Sequence, residues 1–158
     1  MKDLHSSVPV PLAREFMNDH VMSFQAHNEL DRAVTKLLRR GYSGAPVVDE
    51  SNHLVGILSE HDCAGALARA AYEGWSVGTV GDTMTRELET LPLDTDLFAT
   101  ADRFRTTAAR RLPVVDQNGR LVGLVTRRDL LAALDRFRHR QEQARLMDTH
   151  DLIRGRRE

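Results

Sequence analysis

The sequence has a single cysteine, Cys63. That excludes an intramolecular disulfide framework and a zinc site built on four cysteines. An excess of one charge is missing too. The 22 Lys and Arg meet 23 Asp and Glu, a net charge of −1, so nucleic acid is not an expected partner. No apolar run approaches the ~18 residues that span a bilayer, and the opening MKDLHSSVPV holds no apolar stretch. Neither a membrane span nor a secretory signal is expected, and the expected location is cytoplasmic. There is no GxxxxGK[ST] phosphate loop and no HExxH pair. His61 and Cys63 stand two apart, on different faces of any helix, and Cys63 has no partner base at an informative spacing. No motif pairs two carboxylates for hydrolysis. Neither a catalytic residue nor a metal site is expected.

What is present is a repeat. Residues 46–62 read PVVDESNHLVGILSEHD, and residues 113–129 read PVVDQNGRLVGLVTRRD. Pro46 matches Pro113, Asp49 matches Asp116, Gly56 matches Gly123 and Asp62 matches Asp129, each at an offset of 67. The same offset joins Met17 to Met84 and Leu30 to Leu97 without a gap. Chance rarely produces so long a register, and a repeat must be read before any single element.

Each unit reads as β-α-β-β-α. In the first, VMSFQ (21–25) is a strand candidate and Asn28 a helix cap. Leu30, Ala33, Val34, Leu37 and Leu38 then share one helical face up to Gly41. Ala45–Val48 and Leu54–Leu58 are strands joined by a turn, and Ser59 opens the next helix. In the second, LETL (88–91) is the strand and Thr95 the cap of a helix carrying Leu97, Ala101 and Phe104. Arg111–Val115 and Leu121–Val125 are strands around an Asn118-Gly119 turn, and Thr126 opens the last helix. Ala108 stands where the first unit has Gly41, so the two preceding helices are expected to end differently. Val47, Val48, Leu54, Ile57, Leu112, Val114, Val115, Leu121 and Leu124 are core candidates. A unit of about 60 residues cannot cover both faces of its sheet alone. The expected fold is therefore α/β (α+β), two repeats packed about a pseudo-twofold axis. The expected division is an extension at 1–11, repeats at 12–72 and 79–135, a linker at 73–78, and a helix with a tail at 136–158.

The duplicated stretch resembles the CBS domain family, and its tandem form resembles a Bateman module. The residues that carry the likeness are the Met of FMND (16–19) and TMTR (83–86), the two PVVD segments, GILSEHD (56–62) and GLVTRRD (123–129). The likeness covers about residues 12–134. It implies a regulatory module, not an enzyme, with two clefts between the repeats. Such clefts take adenosine-containing ligands: AMP, ADP or ATP, S-adenosylmethionine, or dinucleotides. It also implies a homodimer packed helix face to helix face, and an unnamed partner protein that reads occupancy. A stand-alone pair is expected here.

By family position the ribose-binding carboxylates are Asp62 and Asp129, and the hydroxyls heading the motif are Ser59 and Thr126. A carboxylate can accept from both ribose hydroxyls through charge-assisted bonds, and a helix N-terminus offers free N–H groups to phosphate. Gly56 and Gly123 allow close backbone approach. Ser59-x-x-Asp62 and Thr126-x-x-Asp129 read equally as capping boxes with Asp in the acidic place. The two roles are compatible. The copies differ where phosphate lies: Arg127 and Arg128 in the second, Glu60 and His61 in the first. The second cleft is thus the expected phosphate site, with Thr85, Leu88, Arg111, Leu112 and Pro113 assigned to it beside Thr126, Arg127, Arg128 and Asp129. The first is assigned Val21, Ala45, Pro46, Ser59, His61 and Asp62. A module with degenerate clefts that binds protein without nucleotide is the alternative.

Residues 136–158 carry seven arginines and four acids. Arg136, Arg138, Arg140 and Arg145 are expected on a continuation of the last helix, with no aromatics interleaved for nucleic acid.

Overall fold

The computed structural model describes residues 8–155; the remainder of the extension and of the tail lies outside the described residues. Among the described residues, six helices and five strands follow one another as α1 (Ala13–Phe16), α2 (Leu30–Arg40), β1 (Gly44–Val48), β2 (Leu54–Ser59), α3 (Glu60–Glu73), α4 (Val80–Thr83), β3 (Leu91–Pro92), α5 (Leu97–Thr106), β4 (Arg111–Val115), β5 (Leu121–Thr126) and α6 (Arg127–Arg154). β1 and β2 form an antiparallel hairpin with an irregularity between Val47 and Val48. β4 and β5 repeat it, with the irregularity between Val114 and Val115. β3 adds to β4 in parallel.

The early strands are shorter than the sequence suggests. Residues 21–25 form no strand, only a parallel bridge from Phe24 to Val47. The expected 88–91 strand moves to Leu91–Pro92. The caps shift as well. Asn28 turns its Oδ1 to the Gln25 N–H (2.8 Å), so Glu29 is the N-cap of α2 without a side-chain bond. Asp96, not Thr95, caps α5 by accepting from Ala99 N. The expected difference in helix endings is observed. α2 stops at Gly41 in the left-handed region (φ 66°), whereas α5 stops at Thr107 in extended backbone. Leu38 departs from its expected face and is 76% exposed. Leu54, Ile57, Val115 and Leu124 are only half-buried.

Contacts between the copies come in pairs related by the offset of 67. Leu54 N donates to Gly119 O, and Leu121 N donates to Asn52 O. Ala13 N donates to Thr95 O, and Val80 N to Asn28 O. Leu97 N donates to Pro11 O, and Leu30 N to Gly78 O. This pairing is a pseudo-twofold axis written in hydrogen bonds. It also shows that the segment opening each repeat packs on the other repeat. Ala13 and Phe16 enter the core of Leu91, Leu97, Phe104, Leu112, Val114 and Phe137. Val80 and Met84 enter the core of Phe24, Leu30, Leu37, Val47 and Leu58.

Gly56 and Gly123 make room for this crossing. A Cβ on Gly56 would stand 2.6 Å from Met84 Sδ, and one on Gly123 would stand 2.8 Å from Met17 Cγ. The matched Met and Gly positions of the repeat are therefore knob and hole, each pair formed between copies.

Candidate functional site

The exchange of opening segments decides how the clefts are built. Asn18 pairs with Leu124 across the copies, just as Thr85 pairs with Ile57. Each crossing segment runs beside the start of the other copy's motif helix. The cleft at Thr126, about 400 Å³, is lined by Asn18, His20, Val21, Met22, the 41–44 segment, Arg111, Leu124, Thr126 and Arg128. The cleft at Asp62, about 350 Å³, is lined by Ile57, Ser59, Asp62, Thr85, Glu87, Glu89 and the 108–111 segment. Ile57, Ser59, Thr85, Glu87, Glu89 and the 108–111 segment are the offset counterparts of Leu124, Thr126, Asn18, His20, Met22 and the 41–44 segment, whereas Asp129, the counterpart of Asp62, is not on the Thr126 lining.

The structure groups these residues differently from the assignment by repeat. Val21 belongs with Thr126, and Thr85 belongs with Asp62. Ala45, Pro46, Leu112 and Pro113 are buried in the strands and line neither cleft. A proline and a small or apolar residue there complete the cores. Leu88 is half-buried and lines neither cleft. Arg127 is exposed outside both, while Arg128 lines the Thr126 cleft. His61 faces a third opening, shared with Ser43, Ser59, Glu60, Ala64, Arg110 and Arg111.

Both motif helices carry their caps. Thr126 Oγ1 accepts from Asp129 N (3.2 Å), and Asp129 Oδ2 accepts from Thr126 N and from Thr126 Oγ1, both at 2.9 Å. Ser59 Oγ accepts from Asp62 N (3.1 Å). The Asp62 carboxylate does not close its own box. Its Oδ2 accepts from Thr85 Oγ1 at 2.9 Å, across to the other copy. Asp129 thus has one oxygen in the cap, and Asp62 has one oxygen tied to the crossing segment. Cys63, next along α3, is buried, and burial first and the Asp62 charge second push its thiol up. Both effects disfavour the thiolate form that a nucleophilic cysteine needs.

The walls differ in charge. The Thr126 cleft has Arg111 and Arg128 along its lining and no carboxylate there. The Asp62 cleft has Arg110 and Arg111 facing Asp62, Glu87 and Glu89. Arg103 neutralises part of this, its Nη2 donating to Glu89 Oε2 at 3.0 Å. Glu87 and Glu89 were missed in the sequence. They sit at the offset from His20 and Met22, and comparing those positions would have found them. Among the described residues no group of three or more His, Cys, Asp or Glu side chains converges as a metal site, and no helix is long and apolar enough to cross a membrane.

The CBS domain model matches residues 13–69 and 79–136. The chain belongs to the CBS domain family. It is similar to an uncharacterized protein of Methanocaldococcus jannaschii, MJ1225, with 31% identity over 77% of this chain and 42% of that protein. It is also similar to the inosine-5'-monophosphate dehydrogenase of the same organism, with 26% identity over 82% of this chain and 25% of that enzyme. The chain thus spans less than half the length of these curated relatives. Among solved structures it resembles CBSX2 in complex with AMP, with a TM-score of 0.72 and 28% identity over 80% of this chain and 98% of that one. It resembles as well the CBS domain pair of protein MJ0100 in complex with 5'-methylthioadenosine and S-adenosyl-L-methionine, with a TM-score of 0.70 and 27% identity over 80% and 98%. The fold is the α+β tandem CBS pair.

Proposed function

We propose that this CBS pair is a non-catalytic regulatory module that senses an adenine nucleotide and passes its occupancy to a partner protein. The observation that carries the reading is the asymmetry of its two clefts. At Thr126 the helix N-terminus and the arginines at 111 and 128 line one opening that carries no acid, and the Asp129 carboxylate is bonded to Thr126 next to that lining. Asp129 Oδ1 holds the ribose hydroxyls. Arg128 and Arg111 hold the phosphate, for which a guanidinium fork is suited. Val21 and Met22 cover the base. At Asp62 the acids favour a ligand with less negative charge. The AMP, methylthioadenosine and S-adenosylmethionine bound by the similar structures support an adenosyl ligand for this chain also.

Binding across the copies braces both cores, because each cleft takes walls from both. A ligand that prefers one arrangement of the copies shifts the population toward it, and a partner reads the shift. Leu38, Tyr72, Trp75, Phe98 and Leu131, exposed on α2, α3, α5, α6 and the turn after α3, are the surface on which a homodimer would form helix face to helix face. The module acts in the cytoplasm in this account.

The test is thermal unfolding with AMP, ADP, ATP, S-adenosylmethionine and cyclic dinucleotides at millimolar concentration. A rise in melting temperature with an adenine nucleotide, smaller in Asp129→Ala because only the Asp62 cleft is left to bind it, is the expected result. A flat panel on folded, ligand-free protein would overturn the reading and leave the nucleotide-independent interaction module.

A further inference from the structure

We propose that Arg111 is an anion ligand held in common by the two clefts, so that a nucleotide phosphate in the Thr126 cleft withdraws it from the Asp62 cleft. The inference rests on the functional reading above and adds a coupling between its two sites. Among the described residues, Arg111 alone lines the Thr126 cleft, the Asp62 cleft and the opening beside His61.

The repeat explains its position. At the offset of 67 the counterpart of Arg111 is Gly44, so the axis between the copies receives one long side chain and not two. The space above Gly44 is filled by the guanidinium: a Cβ there would stand 3.0 Å from Arg111 Cζ and 2.7 Å from Leu58 O. Arg111 Nη2 donates to Ser43 Oγ, which leans the group toward the Thr126 side. The side chain is half-buried, and burial lowers its pKa while Glu60 opposes that. An arginine does not shed its charge under these conditions, and a desolvated one gains strongly from an anion.

The two clefts do not lose equally when Arg111 is committed. The Thr126 cleft gains a second guanidinium beside Arg128. The Asp62 cleft is left with Arg110 against Asp62, Glu87 and Glu89. Phosphate binding there is therefore weakened by occupancy of its neighbour, and by linkage the effect is reciprocal. Adenosine, which has no phosphate, does not claim the guanidinium and carries no such coupling.

The experiment is calorimetric titration of the full chain with AMP, adenosine and pyrophosphate at low salt, on wild type, Asp129→Ala, Arg111→Gln and Arg111→Lys. Melting curves verify that each variant folds. Wild type is expected to bind a second AMP about tenfold more weakly than the Asp62 cleft binds AMP in Asp129→Ala. Adenosine should show no such difference, and Arg111→Gln should abolish it. Arg111→Lys, which keeps the charge without the fork, should fall between. Independent AMP steps in wild type, coupling that survives in Arg111→Gln, or no AMP bound by Asp129→Ala would overturn the inference while leaving a nucleotide sensor intact. Pyrophosphate binding that depends on Arg111, with neither AMP nor adenosine bound, would support the shared anion ligand and overturn the nucleotide reading. No binding of any probe would overturn both.

Discussion

Asp129 is asked to do two jobs, and they can be separated by one atom. Its Oδ2 closes the capping box of α6 by accepting from Thr126 N and Oγ1. Its Oδ1 accepts no hydrogen bond among the described residues, and it is the oxygen that the proposed function gives to ribose. Asp129→Ala removes both functions. Thr126 still caps the backbone N–H of residue 129, so the lost half of the box is worth at most about 1 kcal/mol, which for a chain of this length lowers the melting temperature by at most about 2–4 °C. Asp129→Asn keeps a carbonyl oxygen for the Thr126 N–H and removes the charge, so the melting temperature should fall by less. Its ligand affinity should still drop at least about tenfold, because a charge-assisted bond contributes about 1.5–3 kcal/mol. The assays are thermal unfolding without ligand and titration with AMP. If Asp129→Asn binds AMP as wild type does, the carboxylate is a cap and nothing more. The Thr79–Asp82 box on α4, which has the same two reciprocal bonds and lines neither cleft, is the comparison. Asp82→Ala should leave ligand affinity unchanged.

Gly123→Ala should destabilise the chain by about 1–3 kcal/mol, measured by urea unfolding, because the new methyl meets the Met17 thioether and the Asn18 carbonyl. Pairing it with Met17→Ala should recover part of that loss; a larger loss in the double variant would contradict the knob-and-hole account. Asp82 has its carboxyl held below the usual range by the Thr79 N–H. Its contribution is thus present above about pH 4 and lost as pH falls through the lowered folded value. Asp82→Asn should accordingly narrow the difference between melting temperatures at pH 7 and pH 3, and an unchanged difference would remove Asp82 from the acid response.

The hairpins were legible in the sequence because local signals agree there. PVV, a turn and an apolar run recur twice, and β1–β2 and β4–β5 follow them closely. The motif helices were legible because Ser59 and Thr126 cap them as their spacing implies. The failures lie where a segment from the other copy intervenes. Asn28 is a good local cap, yet Leu30 N is satisfied by Gly78 O from across the axis, so the side chain turns elsewhere. The 21–25 stretch has strand-forming residues but pairs at one point only, since its first residues are drawn into the Thr126 cleft. The same exchange moved Val21 and Thr85 to opposite clefts from those their own repeats suggest. Asp62 illustrates it best: spacing predicts a closed capping box, while the carboxylate is bonded to Thr85. Such partners depend on the topology that brings the copies together, and no local window contains it.

In the proposed function the Thr126 cleft takes a phosphorylated adenosine. Titrating wild type and Arg128→Gln with AMP and with adenosine tests it most directly. Wild type should bind AMP about tenfold more tightly than adenosine, and Arg128→Gln should lose most of this preference while keeping adenosine binding. Equal affinities for AMP and adenosine in wild type, or a preference that Arg128→Gln leaves intact, would contradict it.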